Sequence, residues 1–238
     1  MQAHHVKDPL AGSTWSAPEM VAGFAKGTPN AVLMAFAEAE LRRTPHGRLL
    51  DLGCGAGRNA IPLARLGWTV VGTDLSWPMI AAAAERAREE RLEQRLRLAL
   101  APMEAIPVRD RSVDLIVAHG IWNLARSAAQ FRQAVAEAAR VARPGAGLFV
   151  FTFSRHTLPP DAEPVGVHGS PGGEPFIFTQ FSGEPQCFLT EGQLMEEMRR
   201  AGFAQDPSVP LREYNRPAAG TLRTGGPVIW EAAFRRQP

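Results

Sequence analysis

The chain is poor in the residues that mark several classes of protein. Two cysteines stand among its 238 residues, Cys54 and Cys187, far apart and in no C-x-x-C pair. Neither a disulfide framework nor a zinc site is expected from them; no metal is expected, and both read as reduced thiols. No apolar run reaches the length of a membrane-spanning helix, and the opening stretch MQAHHVKDPLAGSTW lacks the basic-then-apolar order of a secretory signal. The expectation is a cytoplasmic protein with no membrane partner. Charge of one sign is scarce too: 26 Lys and Arg oppose 24 Asp and Glu. The densest charged run, Glu85 to Arg97, interleaves acids and arginines at helical spacings and reads as a solvated helix face. Unopposed basic charge with aromatic interleaving is missing, so no nucleic-acid partner is expected.

What the chain has is rhythm. Its residues are 45% hydrophobic, enough for one well-buried α/β domain, and the length is short for two, so residues 1–238 are read as a single domain. From Thr28 onward, apolar bursts alternate with helix-period segments, the order of a doubly wound parallel sheet. Thr28 and Pro29 read as the N-cap and first residue of a helix through Arg43. A strand over Arg48 to Leu52, a helix over Arg58 to Leu66 stopped by Gly67, and a strand over Thr69 to Asp74 follow. Ser76 caps the next helix, whose first turn accepts Pro78 because its early amides have no intrahelical acceptor. Further strands are expected near Arg97 to Ala101 and over SVDLIVAHG, ending at Gly120. From Ser127 to Ala142, the residues Phe131, Ala134, Val135, Ala138 and Ala142 make one helical stripe, which stops at RPGAG before the strand GLFVFTFS.

After Ser154 the character changes. Residues 155–189 are rich in proline and glycine over a length unusual for a connection in a compact domain. A surface excursion with a small hairpin around PFIFTQF would account for it, and so would an insert closing over a substrate pocket; the length favours the second. Thr190 and Gln193 are spaced as a capping box and start a helix ending at Gly202. Two last strands, around SVPLREYNR and PVIWEAAFRR, are joined by RPAAGTLRTGGP as an antiparallel pair.

The segment RLLDLGCGAGRNAIPLARLGWTVVGTDLS raises the question of function. Gly53, Gly55 and Gly57 follow the first strand, where the chain must turn sharply into a helix. Without side chains they allow positive φ and close approach by a ligand, while the first helical amides form a weakly positive floor. At the end of the second strand, Asp74 can accept from both hydroxyls of a ribose. Dinucleotide folds need a third glycine at the place held here by Arg58, which argues against an NAD(P)-dependent oxidoreductase while leaving it as an alternative.

LLDLGCGAGRN followed by VVGTDLS resembles the first two motifs of the class I S-adenosylmethionine-dependent methyltransferases, and IPVRDRSVDLIVAHGIWNL with RPGAGLFVFTFS resembles the later ones. The match runs over about Thr28 to Ser154, and GCGxGRN is most similar to the small-molecule enzymes, the tellurite-resistance type among them. The resemblance implies a Rossmann-like seven-stranded, mostly parallel sheet with an antiparallel last strand. S-adenosyl-L-methionine is the implied cofactor and a small molecule the methyl acceptor. It also implies that Asp51, Gly53, Gly55 and Arg58 surround the methionine part, Asp51 toward the amino group and Arg58 toward the carboxylate. Asp74 would hold the ribose, Leu75 and Met79 would lie against the adenine, and His119 would offer a backbone carbonyl. The family usually places an aspartate where this chain has Pro102, which can neither accept through a side chain nor donate an amide. Adenine recognition is therefore expected to be rearranged around Pro102 and the amide of Met103, or around Glu104.

A sulfonium makes its methyl group electrophilic, so holding a nucleophile in line supplies much of the acceleration, and a dedicated base is optional. Where one is needed, His119 and His156 rank ahead of His168, Glu213 and Tyr214, with His119 named as the catalytic candidate. Trp15, Trp122, His156 and Tyr214, with Phe178, are the expected walls of the acceptor pocket. Residues 1–27, with Trp15, Val21 and Phe24 loosely spaced as an amphipathic helix, are expected to cover the cofactor as an N-terminal lid. A monomer or homodimer is expected, and a non-catalytic S-adenosylmethionine-binding protein is the other alternative.

Overall fold

The computed structural model describes residues 8–166, 174–216 and 226–238. His168, residues 1–7 of the expected lid, and the centre of the link between the last two strands lie outside them. Two helices come first, α1 (Pro18–Lys26) and α2 (Ala31–Arg43). The α2 start differs from the expected Thr28: Asn30 is the N-cap, its side chain accepting from the Leu33 amide at 2.9 Å. A cap needs a short acceptor at the residue whose backbone is still extended, and Asn30 meets that condition two positions later than Thr28.

The sheet then forms in the order expected. β1 (Arg48–Leu52), α3 (Ala60–Leu66), β2 (Thr69–Asp74), α4 (Trp77–Glu89), β3 (Leu96–Leu100), β4 (Val113–His119), α5 (Ala128–Val141) and β5 (Ala142–Phe153) alternate along the chain. Both strands of the glycine-turn unit have the expected limits, whereas α3 starts two residues late because residues 55–59 are spent on the turn. Gly67 ends α3 in the left-handed conformation at φ 115°, and Ser76 and Ser127 accept from the third amides of α4 and α5. The α5 helix ends at Val141, one residue before the RPGAG expected to stop it. β5 begins directly at Ala142, and its register against β4 shifts between Val113 and Leu115, a bulge with Gly145 at φ 80°.

Beyond β5, the insert contains a two-residue hairpin, β6 (Ile177–Phe178) against β7 (Gln186–Cys187), where PFIFTQF suggested one. Then come α6 (Glu191–Arg200) with its capping box complete, β8 (Phe203–Gln205), β9 (Arg212–Tyr214) and β10 (Ile229–Arg236). The sheet order is β3-β2-β1-β4-β5-β10-β8, with β9 also on β10. β10 runs antiparallel to β5, and β8 and β9 pair with its two halves in turn. The sheet thus has seven positions, the last of them broken in two. The short β8 carries no alternation long enough to mark it in the sequence.

Successive residues of each central strand feed opposite cores, as the pleat requires. Leu49, Val70, Leu115 and Phe149 pack under α2, α3 and α4; Leu50, Leu52, Ile116, Leu148 and Val150 pack under α5, α6 and the insert. Phe176, Ile177, Cys187 and Leu189 belong to that second core, so the insert is anchored by burial at its base. At the amino end of the sheet, Arg235 joins Glu40, 2.5 Å away, and Asp206, both carboxylates being buried. The parallel strands therefore aim their carboxyl ends at the other rim, where the glycine turn lies.

Candidate active site

The turn after β1 passes through Gly53, Gly55 and Gly57 at φ 63°, 53° and 80°. Other residues seldom adopt this conformation, and space enforces the choice: a Cβ on Gly53 would stand 2.7 Å from Cδ1 of Ile121. The amide of Gly55 donates to Asp74 Oδ2 at 2.9 Å and that of Ser76 to Oδ1 at 2.8 Å. Asp74 thereby ties the glycine turn to the end of β2. Burial holds its carboxyl above the usual range despite these amides and that of Leu75.

Asp51 and Arg58 stand deeper. Asp51 is 1% exposed, and its Oδ2 has no hydrogen-bond partner; the Nε of Arg58 is likewise buried and unpartnered. Burial pushes the Asp51 carboxyl up to about 7, against the pull of the Arg58 guanidinium and with the repulsion of Asp74. Arg58 lies over the Phe24 ring at 5.3 Å, and its Nη2 is 3.1 Å from His119 Nδ1. Unsatisfied buried polar atoms are costly, and a pair of opposite charge beside a bare turn suits a zwitterionic ligand: a carboxylate oxygen for an ammonium, a guanidinium N–H for a carboxylate. The residues present therefore fit the methionine end of S-adenosylmethionine.

His119 ends β4 and stacks on Phe151 with ring centroids 4.1 Å apart. Burial, then the Arg58 charge, hold it down to about 4, so it is neutral at pH 7. Its Nε2 faces Asn30 Nδ2 at 3.3 Å, and that same amide nitrogen donates to Glu231 Oε2 at 2.7 Å. Burial, then the nearby Glu231 carboxylate, raise the Tyr214 phenol. A polar chain Arg58–His119–Asn30–Glu231 thus crosses the carboxyl rim from the glycine turn to β10. Asn30 and Glu231 were missed as site residues. A signal existed for each: a short amide before an apolar helical run, and a lone acid inside the apolar strand VIWEAAF.

The N-terminal segment lies over the same turn. Asp8 accepts from the Trp77 amide at 3.1 Å and from the Ser16 hydroxyl at 2.7 Å, and Ser16 Oγ is 3.0 Å from Ser76 Oγ. Trp15 packs edge-on to Phe24, which stands beside Gly55 together with the buried thioether of Met79. Trp15 consequently belongs to the glycine-turn side and not to an acceptor wall. Leu75 is half-buried beyond Asp74, and Ala101 donates to the Asp74 carbonyl, bringing Pro102 to the same rim. The Met103 side chain is in the second core, and the Glu104 carboxylate accepts from Gln130 of α5. Trp122 is fully buried against Phe131, its indole nitrogen without a partner; it is core, not pocket wall, because the short helical turn after β4 directs it under α5. Phe178 is buried in the insert's own aromatic cluster. His156 and Tyr214 stand past the end of β5 and on β9, His156 held by Glu213 at 2.6 Å. Among the described residues there is no cluster of metal-ligating side chains, and no helix is long and apolar enough to cross a membrane.

A glycine turn after the first strand, an acid ending the second and a mostly parallel sheet with one antiparallel strand define a nucleoside-binding protein of the doubly wound class. A family profile described as a methyltransferase domain matches residues 49–145. The chain is 36% identical over 171 residues to the ubiquinone/menaquinone biosynthesis C-methyltransferase UbiE of Acidiphilium cryptum, covering 67% of each chain. It is 34% identical over 108 residues to a ubiquinone biosynthesis O-methyltransferase of Agrobacterium fabrum, covering 45% of this chain and 41% of that one. Several of its other curated relatives are spanned over only about half their length. Among solved structures, 1,6-didemethyltoxoflavin-N1-methyltransferase of Burkholderia thailandensis shares the fold at a TM-score of 0.62 and 21% identity, with 92% of this chain and 86% of that one covered. The chain belongs to the S-adenosylmethionine-dependent methyltransferases. This membership replaces the dehydrogenase alternative, against which Arg58 in the third glycine position already spoke.

Proposed function

We propose that this protein transfers a methyl group from S-adenosylmethionine to a small-molecule acceptor lying beyond the carboxyl ends of β4 and β5. The observation that carries the reading is the unpartnered Asp51 oxygen beside the unpartnered Arg58 Nε, both buried at the glycine turn, with Asp74 across it. Asp51 takes the ammonium of the methionine moiety, Arg58 its carboxylate and Asp74 the ribose hydroxyls. Leu75, Met79, Pro102 and Met103 line the adenine side. When bound, S-adenosylmethionine supplies an electrophilic methyl on a sulfonium; this chain's residues orient it and exclude water. His119, neutral and accepting from Arg58 at Nδ1 so that its one proton sits on Nε2, is a positioning wall between cofactor and acceptor, a role its depressed basicity suits better than that of base. Residues 8–27 cover the cofactor, and the insert covers the acceptor.

The similar proteins are methyltransferases of ubiquinone and menaquinone biosynthesis and of 1,6-didemethyltoxoflavin, and these likenesses support the small-molecule acceptor. Calorimetric titration with S-adenosylmethionine, S-adenosylhomocysteine and NADH tests the reading. Binding of the first two with no heat from NADH is expected, and loss of both in Asp74→Ala. A protein that binds the cofactor yet transfers labelled methyl to no acceptor would be the non-catalytic alternative.

A further inference from the structure

Most arginines of this chain are engaged: Arg132, Arg140, Arg143 and Arg235 sit in ion pairs, and Arg95 and Arg236 donate to backbone carbonyls. Arg48, Arg97 and Arg109 differ. Their guanidinium groups have no hydrogen-bond or ion-pair partner among the described residues, and all three line one open cavity of about 360 Å³ at the amino end of β1 and beside β3. No helix connects β3 to β4, and the loop between them borders the cavity instead. Register places Arg48, Val71 and Arg97 on one face of the sheet: Val71 pairs with both Leu50 and Arg97, and Arg48 stands two residues before Leu50.

The loop wall is fixed in place. Arg140 of α5 donates to the carbonyls of Ile106 and Val108 at 2.9 and 2.8 Å and to the Asp110 carboxylate at 2.6 Å, and the Ser112 amide donates to the Val141 carbonyl at 2.8 Å. The Ser112 hydroxyl holds the Arg109 carbonyl at 2.6 Å. Arg109 therefore sits in a loop tied down on both sides of it, and the partly buried Val71 and Val108 give the cavity an apolar floor below the three exposed arginines. The acids of this region are already matched: Asp114 accepts the Arg48 amide at 2.8 Å and pairs with Arg143 at 2.5 Å, while Asp110 pairs with Arg140. No acidic residue lines the cavity. Three cations without counter-ions around an apolar floor favour a ligand strongly negative at one end and apolar at the other, and guanidinium forks match phosphate oxygens in pairs. The exposed large apolar side chains Leu66, Trp77, Phe181 and Tyr214 all lie elsewhere, so the cavity has no side chain to bury in a bilayer, which favours a soluble ligand over a lipid.

We propose that this cavity is a second binding site, for a small soluble phosphate monoester with an apolar body. Arg48, Arg97 and Arg109 take the phosphate, and Val71 and Val108 take the body. The site begins where β1 begins, at Arg48, whereas the glycine turn follows the other end of that strand at Leu52. Its ligand is therefore neither the cofactor nor the methyl acceptor, and it binds without displacing either.

The test is calorimetry on the full chain, in phosphate-free buffer at low salt, with phenyl phosphate, inorganic phosphate and phenol. Phenyl phosphate should saturate one site and bind about 10-fold more tightly than inorganic phosphate, the difference being the apolar floor, and phenol should not saturate. Arg97→Gln and Arg109→Gln should each weaken phenyl phosphate by about 5- to 10-fold and together by about 50-fold. Arg126→Gln, at an exposed arginine that does not line the cavity, should change nothing. S-adenosylhomocysteine should bind the wild type and the variants alike, with or without phenyl phosphate. The site is overturned by phenyl phosphate that does not saturate, by inorganic phosphate binding as tightly, by an Arg126→Gln loss equal to that of the cavity variants, or by competition between phenyl phosphate and S-adenosylhomocysteine. Retention on phosphatidylcholine vesicles containing phosphatidic acid, without binding of phenyl phosphate, would also overturn it, in favour of a lipid.

Discussion

The two ends of the carboxyl rim are built by different means. On the cofactor side, the parts lie close in sequence: Gly53, Gly55 and Arg58 are within one turn, and Asp74 is 19 residues from the amide it binds. On the acceptor side they come from afar, with His156 meeting a carboxylate 57 residues on and Asn30 meeting one 201 residues on. The first side is carried by backbone geometry, which tolerates few changes and suits a ligand that does not vary. The second is carried by side chains from separate elements, the insert, β9, β10 and the cap of α2. A scaffold divided this way can keep its cofactor while its acceptor changes.

The division can be broken or sharpened by mutation. The largest effect is expected away from both sides, at the amino end: Arg235→Ala takes from the buried Glu40 and Asp206 the cation they share, leaving Arg43 to the one and Ser208 to the other, and should cost about 3 kcal/mol in denaturant unfolding, with cofactor affinity per folded molecule unchanged. Asp74→Ala removes the acid that serves both ribose and turn, and should weaken S-adenosylhomocysteine binding by at least ~100-fold in calorimetry. Asp51→Asn should weaken binding by roughly 10-fold and change its pH dependence. Because the Asp51 carboxyl is pushed up to about 7 and must be ionised to meet an ammonium, wild-type affinity should fall as pH drops through 7, and the variant's should stay level. The sign for stability is opposite. A carboxyl raised from 3.8 to about 7 on folding stabilises the free protein most in acid and loses that contribution as pH rises to 7, so Asp51→Asn should flatten the unfolding midpoint over that window.

Two smaller effects separate the sides further. Deleting residues 1–27 removes the Asp8, Ser16 and Phe24 contacts over the glycine turn and should weaken cofactor binding about 10-fold, since such a cover excludes water from charged groups. Equal affinity in the shortened protein would show that this segment is no lid. Trp122→Phe should cost less than about 1.5 kcal/mol, because the ring keeps its core and a buried N–H without a partner disappears. A marked change in acceptor KM there would return Trp122 to the pocket.

How much was legible in the sequence follows the same division. The strands Arg48–Leu52 and Thr69–Asp74 and the caps at Ser76 and Thr190 are consequences of local pattern, and the structure has them where the pattern puts them, while Asp51 and Arg58 came from the family resemblance. The start of α2 was misplaced because Thr28 and Asn30 are both sound caps in isolation and only packing selects one. Trp122 and Trp15 were assigned to one pocket since exposure is not written in residue type; a tryptophan after a strand end can turn outward or under a helix. Glu231 went unnoticed because its partner, Asn30, is remote in sequence. His156 was legible as a candidate, but its carboxylate partner was readable only as another member of a set of titratable groups.

The broken seventh position of the sheet has a consequence of its own. β8 and β9 are each three residues long and are separated by an excursion in which Asp206 and Val209 still bond to Ala233. The outer rim of the sheet therefore offers no long ladder of unpaired amides to a neighbouring chain, and two short stubs with a kink between them make a poor template for intermolecular strand addition. The same interruption that hid β8 from pattern reading guards this edge of the sheet, opposite β3, against edge-to-edge association at high concentration.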